Sequence, residues 1–268
     1  MTADKYAEIF HAAGLAVLLY DHRGFGDRGG EPRQQLSPWI QARGYGDAVS
    51  YGRSLDGVDA SRVAIWGDSF GGSVALAVAG IDERVAALVV QVPAIGRELP
   101  SADPDGTLYR AFKEKILSGV VKLSEEEVQG PLPVVSDDQV RRPSALQPLT
   151  AYRWFIEYGG RFGTGWVNDV TRAQPKTPVA WHPGLCARHI SCPTLFLVSP
   201  QDEMPGALPA VARDAYNKLA GPMEWIEIDG GLFGLLYFPS EEFEWTSSAQ
   251  APFLSDHLLA WKSPGLPY

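Results

Sequence analysis

Val63-Ala64-Ile65-Trp66-Gly67-Asp68-Ser69-Phe70-Gly71-Gly72 is the stretch that decides the fold. An apolar run rich in strand-forming residues leads into G-x-S-x-G, and small residues follow to Ala79 at a spacing suited to a helix packed closely on a sheet. Strand, tight turn and helix in that order place a serine hydroxyl on a sharp bend, where small neighbours let strand and helix approach each other. Ser69 is therefore the candidate nucleophile. The backbone N–H of Phe70, at the helix start, is a candidate oxyanion donor.

Outward from this turn the chain repeats the same grammar. Apolar runs at 16–20, 63–66, 86–92, 194–198 and 224–228 read as strands. Between them lie helical patterns at 6–13, 40–55, 70–79, 209–219 and 252–261, the last two opening on proline. The alternation predicts an α/β fold, with a mostly parallel sheet flanked by helices. From Pro93 to Pro193 the periodicity breaks. Prolines crowd this stretch, helices are expected only near 108–117 and 151–158, and Phe112, Trp154, Phe155, Phe162, Trp166 and Trp181 accumulate. The reading is a core of residues 1–93 and 193–268 with a helical lid inserted at 94–192. The lid aromatics either form its own core or wall an apolar pocket.

Composition narrows the function classes. A net charge of −9 argues against nucleic acid, whose phosphates reward clustered cations. No apolar run reaches the ~20 residues of a membrane span. The start Met1-Thr2-Ala3-Asp4-Lys5-Tyr6 lacks the pattern of a signal peptide, so a cytoplasmic location is expected. Cys186 and Cys192, the only cysteines, suit neither a disulfide framework nor a metal site. No metal or organic cofactor is implied.

Asp202, in Ser199-Pro200-Gln201-Asp202-Glu203, follows a buried-type strand by a few residues, at the rim where parallel-sheet sites form. It is the candidate acid, with Glu203 a weaker substitute. Together with Tyr20-Asp21-His22-Arg23-Gly24-Phe25-Gly26-Asp27, the Ser69 turn, Asp82-Glu83-Arg84-Val85-Ala86-Ala87, Pro193-Thr194-Leu195-Phe196-Leu197-Val198 and the segment 230–239, this pattern resembles the α/β-hydrolase superfamily. The resemblance is to its dienelactone-hydrolase-like and polyketide-transferase-like members and covers most of the chain outside the lid. It implies Ser69 as nucleophile, Asp202 as acid and the Phe70 N–H as half of an oxyanion hole.

Two departures stand out. Gly230-Gly231-Leu232-Phe233-Gly234 carries leucine where such enzymes carry the histidine base, and an alkyl group accepts no proton. Of the five histidines, His22 is the best placed substitute, with a pocket-wall role as its alternative; His11, His182, His189 and His257 fall on other elements. Relatives also carry a strand between those at 16–20 and 63–66, with a loop supplying a second oxyanion N–H, and the sequence lacks both. Direct pairing of the two strands in an N-terminally shortened sheet is expected, with a second copy or a partner chain completing the sheet, or a truncated sequence, as the alternatives.

Three functions remain open at this point. The first is Ser69-dependent acyl hydrolysis or acyl transfer on an ester, thioester or lactone of a small apolar, polyketide-like substrate, impaired or altered by the missing histidine. The second is non-hydrolytic cyclase, lyase or isomerase chemistry of secondary metabolism in the same pocket. The third is a non-catalytic ligand-binding or interaction protein.

Overall fold

The computed structural model describes residues 2–118, 127–161 and 163–259. Phe162 and the end of the expected helix at 252–261 lie outside the described residues. In chain order the elements are α1 (Ala3–Ala12), β1 (Gln35–Leu36), α2 (Pro38–Arg53), β2 (Ala64–Asp68), α3 (Ser69–Ala79), β3 (Ala87–Gln91), α4 (Thr107–Leu117), β4 (Val128–Leu132), α5 (Leu149–Gly159), β5 (Val170–Ala173), β6 (Thr194–Val198), α6 (Pro209–Asn217), β7 (Met223–Glu227), α7 (Leu232–Leu235) and α8 (Glu241–Leu258).

The main sheet is all parallel, in the order β2-β3-β6-β7. β3 and β6 are buried along their whole lengths, as expected of apolar strands covered on both faces. One core layer packs α2, α3, α4 and α6 on one face, around Val74, Leu76, Leu88 and Phe196. The other packs α1, α5, α7 and α8, around Tyr6, Val89, Leu195 and Phe243.

Four of the five expected strands form; that at 16–20 does not. It joins neither sheet, and Val17, Leu18 and Leu19 are 41%, 41% and 56% exposed. The expected direct pairing with the strand at 63–66 is therefore wrong: β2 is an edge strand. The Ala86 N–H donates to the Val63 carbonyl at 2.8 Å, so by alternation Ala64, Trp66 and Asp68 turn their peptide groups outward. The Tyr45 hydroxyl donates to the Trp66 carbonyl at 3.3 Å and covers part of that edge. Apolar residues alone did not make a strand at 16–20, because a strand needs a ladder partner.

The C-terminal helix also differs. It starts at Glu241, where the Ser240 hydroxyl caps it by accepting from the Phe243 N–H at 3.0 Å, and Pro252 lies inside it. Burial of Phe243, Phe253 and Leu254 holds the helix together across the proline. The stretch 94–192 carries α4 and α5, as expected, and adds a small sheet, β1-β5-β4, in which residues before β2 pair with the insert. That pairing joins segments more than 130 residues apart, which no local pattern reveals.

Candidate active site

Ser69 follows β2 directly, with φ of 46°. This left-handed conformation is costly for a residue with a side chain. The glycines around it answer to space. A Cβ on Gly67 would lie 2.5 Å from the Gly71 carbonyl oxygen and 2.8 Å from the Gly72 nitrogen, and one on Gly72 would lie 3.1 Å from the Gly67 carbonyl oxygen. The adjoining strand turns the same way. Val92, just after β3, has φ of 41°, its N–H donates to the Leu197 carbonyl at 2.7 Å, and Ala94 N–H reaches back to the Ser69 carbonyl at 2.9 Å. Phe70 is the second residue of α3, so its N–H has no intrahelical acceptor.

Asp202 lies beyond β6 and Leu232 beyond β7, on the same carboxyl edge of the sheet as Ser69. One carboxylate oxygen of Asp202 accepts from the Met204 N–H at 2.7 Å, the other from the Leu232 N–H at 2.8 Å. Asp202 is thus bonded to the backbone of residue 232. Burial pushes the Asp202 carboxyl up to about 6, against the two N–H donors that favour its charge, with Glu203 adding to the rise. The side chain of Leu232 is buried, 4% exposed, in the apolar layer that includes Val92, Trp154 and Phe233. No proton acceptor stands at this position.

His22, the candidate substitute, sits among tyrosines near the outer edge of β2. It packs against Tyr20 and Tyr45, with ring centroids at 5.3 and 5.5 Å, and Tyr45 covers the outer edge of β2. Burial, helped by Arg28, lowers its imidazole to about 4, so it is neutral at pH 7. Among the described residues no hydrogen bond joins it to Ser69, and none is made by the Ser69 hydroxyl. The other histidines are occupied elsewhere: His182 between the Glu98 carbonyl and the Gly184 N–H, His189 stacked on Tyr109, His11 at the Leu15 carbonyl and His257 on Phe253.

The aromatics of the insert divide. Trp154, Phe155 and Trp166 gather with Phe233, beside position 232, while Phe112 and Trp181 close on Trp39 in the opposite layer. Glu203, read from the sequence only as a substitute acid, instead bridges to the insert by accepting from the Thr150 hydroxyl at 2.8 Å.

With this geometry in view, the family model described as serine aminopeptidase, S33, matches residues 2–221. The chain belongs to this family of the α/β-hydrolase superfamily. Quorum-quenching protein AidA of Acinetobacter baumannii is 34% identical over 209 residues, 76% of this chain and 66% of its own. A thiohydrolase of Eupenicillium brefeldianum is 27% identical over 209 residues, 76% of this chain and 65% of its own. The matches thus span just under two thirds of these two relatives. The crystal structure of the α/β hydrolase GrgF from a Penicillium species superposes with a TM-score of 0.69 at 24% identity, covering 96% of this chain and 85% of that one. No described helix is long and apolar enough to cross a membrane.

Proposed function

We propose that this α/β hydrolase uses Ser69 to take an acyl group from a small, apolar, polyketide-like thioester, passing it to water or to an acceptor, at a rate limited by leucine at the base position. The observation that carries this reading is the pairing of a strained Ser69 with an Asp202 still bonded to the backbone of residue 232. The nucleophile and acid positions are retained and only the proton carrier between them is apolar.

Chemistry favours a thioester over an ester or lactone. Attack by Ser69 Oγ forms the acyl C–O bond, the Phe70 N–H meets the oxyanion, and collapse breaks C–S. The thiol, with an ordinary pKa of about 8.5, leaves as thiolate without a general acid, whereas an alkoxide needs one. The serine proton passes to solvent or to the departing thiolate. Water or the acceptor then attacks the acyl-serine, the bond to Ser69 Oγ breaks, and that oxygen regains a proton from the attacking group or from solvent. This is the slow step, because no general acid meets the leaving alkoxide. Names of relatives such as thiohydrolase and polyketide transferase support this substrate class. A second reading, non-hydrolytic cyclase, lyase or isomerase chemistry, rests on the dry, leucine-lined position 232. A partner chain or second copy that completes the sheet would add at the outer edge of β2.

Intact mass after exposure to a fluorophosphonate, for the parent and for Leu232→His, tests the proposal. Slow labelling of Ser69 in the parent, accelerated about a hundredfold or more in the histidine variant, is expected. Labelling of the variant alone moves the assignment to the non-hydrolytic reading. A folded variant that, like the parent, stays unlabelled removes Ser69 chemistry altogether.

A further inference from the structure

Helix α5 meets the loops beyond β6 and β7 along a single stripe. Thr150, Trp154 and Tyr158 are spaced four apart and share one face. Trp154 Nε1 donates to the Leu236 carbonyl at 3.0 Å, and the Tyr158 hydroxyl accepts from the Phe238 N–H at 2.8 Å. These two side chains are buried and anchor the centre and the C-terminal end of the helix. At the other, exposed end, the Thr150 hydroxyl donates to Oε1 of Glu203. The second oxygen of that carboxylate presses on Gly231, where a Cβ would fall 1.7 Å from Oε2. Gly231 has φ of −107° and ψ of 172°, which any residue adopts. Its backbone does not call for glycine, but a side chain there would push the Glu203 carboxylate away from its place beside Gly231.

We propose that Glu203 is a positioning residue, a clasp between the start of α5 and the glycine preceding Leu232. Through it the insert and the loop bearing position 232 keep one arrangement at the site. The inference takes from the proposed function only the importance of position 232. Its test is read without turnover, so a silent Ser69 leaves it intact.

Amide hydrogen exchange on the full chain decides it. Thr150→Val, Gly231→Ala and Glu203→Ala should each speed exchange at amides 152–154 by roughly five- to tenfold, leaving those at 157–159 as in the parent. Glu203→Gln, whose amide oxygen still accepts from Thr150, should keep the parent's protection. Thr150→Val combined with Gly231→Ala should exchange no faster than either alone, since both open one clasp. Unchanged exchange in Gly231→Ala, or multiplied effects in the double variant, overturns the proposal. If Gly231→Ala folds poorly, adding Glu203→Ala removes the collision. The pair should regain the parent's Tm while amides 152–154 stay fast, and failure to regain it also overturns the clasp.

Discussion

Ser69 and Leu232 lie on the same edge of the same sheet, yet the backbone treats them differently. At Ser69 the chain is bent into a left-handed turn, pinned by the Ala94 N–H, with glycines wherever strand and helix touch. Local geometry there restricts which residues fit. At 232 the chain enters a short helix with ordinary dihedrals, and Asp202 grips a backbone N–H that every residue except proline supplies. The acid's bond therefore persists whatever the side chain. Half of this site resists sequence change because it is strained, and half admits it because it is not.

The largest test of that contrast is Gly67→Ala. The new methyl meets backbone atoms of Gly71 and Gly72 rather than a movable side chain, so strand and helix must separate. A loss of more than about 4 kcal/mol in urea unfolding, or failure to fold, is expected. A loss below about 1 kcal/mol would show that the turn is far looser than its geometry implies. Gly234, in the other half, has nothing within 4 Å of its would-be Cβ, and alanine there should be nearly silent.

This difference also explains what the sequence made legible. Steric demand at 67–72 writes itself into residue types a few positions apart, so the turn could be read directly. Asp202 was legible because it follows an apolar strand. The strand expected at 16–20 failed because its apolar composition says nothing of a ladder partner, and the outer edge of β2 is left unpaired. His22 drew attention through that same expectation; without a strand beneath it, it packs into the Tyr20 and Tyr45 rings instead. The role of Glu203 was hidden because its partners, Thr150 and Gly231, meet it only in the folded chain. A glycine whose dihedrals do not require glycine is the kind of signal that appears only with coordinates.

A smaller effect isolates the strain itself. Ser69→Gly should be more stable than Ser69→Ala by about 1 kcal/mol, since glycine alone accepts a φ of 46° without penalty. At position 232 the order should reverse, Leu232→Gly falling below Leu232→Ala, because helical dihedrals favour alanine. Thermal unfolding of the four variants reads both differences. The same order at both positions would erase the distinction drawn between the two halves.

The smallest effect concerns the acid that joins them. Burial raises the Asp202 carboxyl to about 6 in the folded chain, against about 3.9 when unfolded, so over that window the folded state holds the proton more tightly. Ionising this group is harder in the folded state, and its contribution to stability falls as pH rises from about 4 to 6, then levels off. Asp202→Asn removes that dependence. Asparagine also gives up one of the two acceptors for the Met204 and Leu232 N–H groups, a loss that does not vary with pH. The diagnostic is therefore the slope: measured against the parent, the variant should gain stability between pH 4 and 6, by less than about 1 kcal/mol once partial exposure is allowed for. A difference that stays flat would mean the carboxylate is solvated after all. The acid would then be an ordinary loop residue, and the bond to residue 232 incidental to the site.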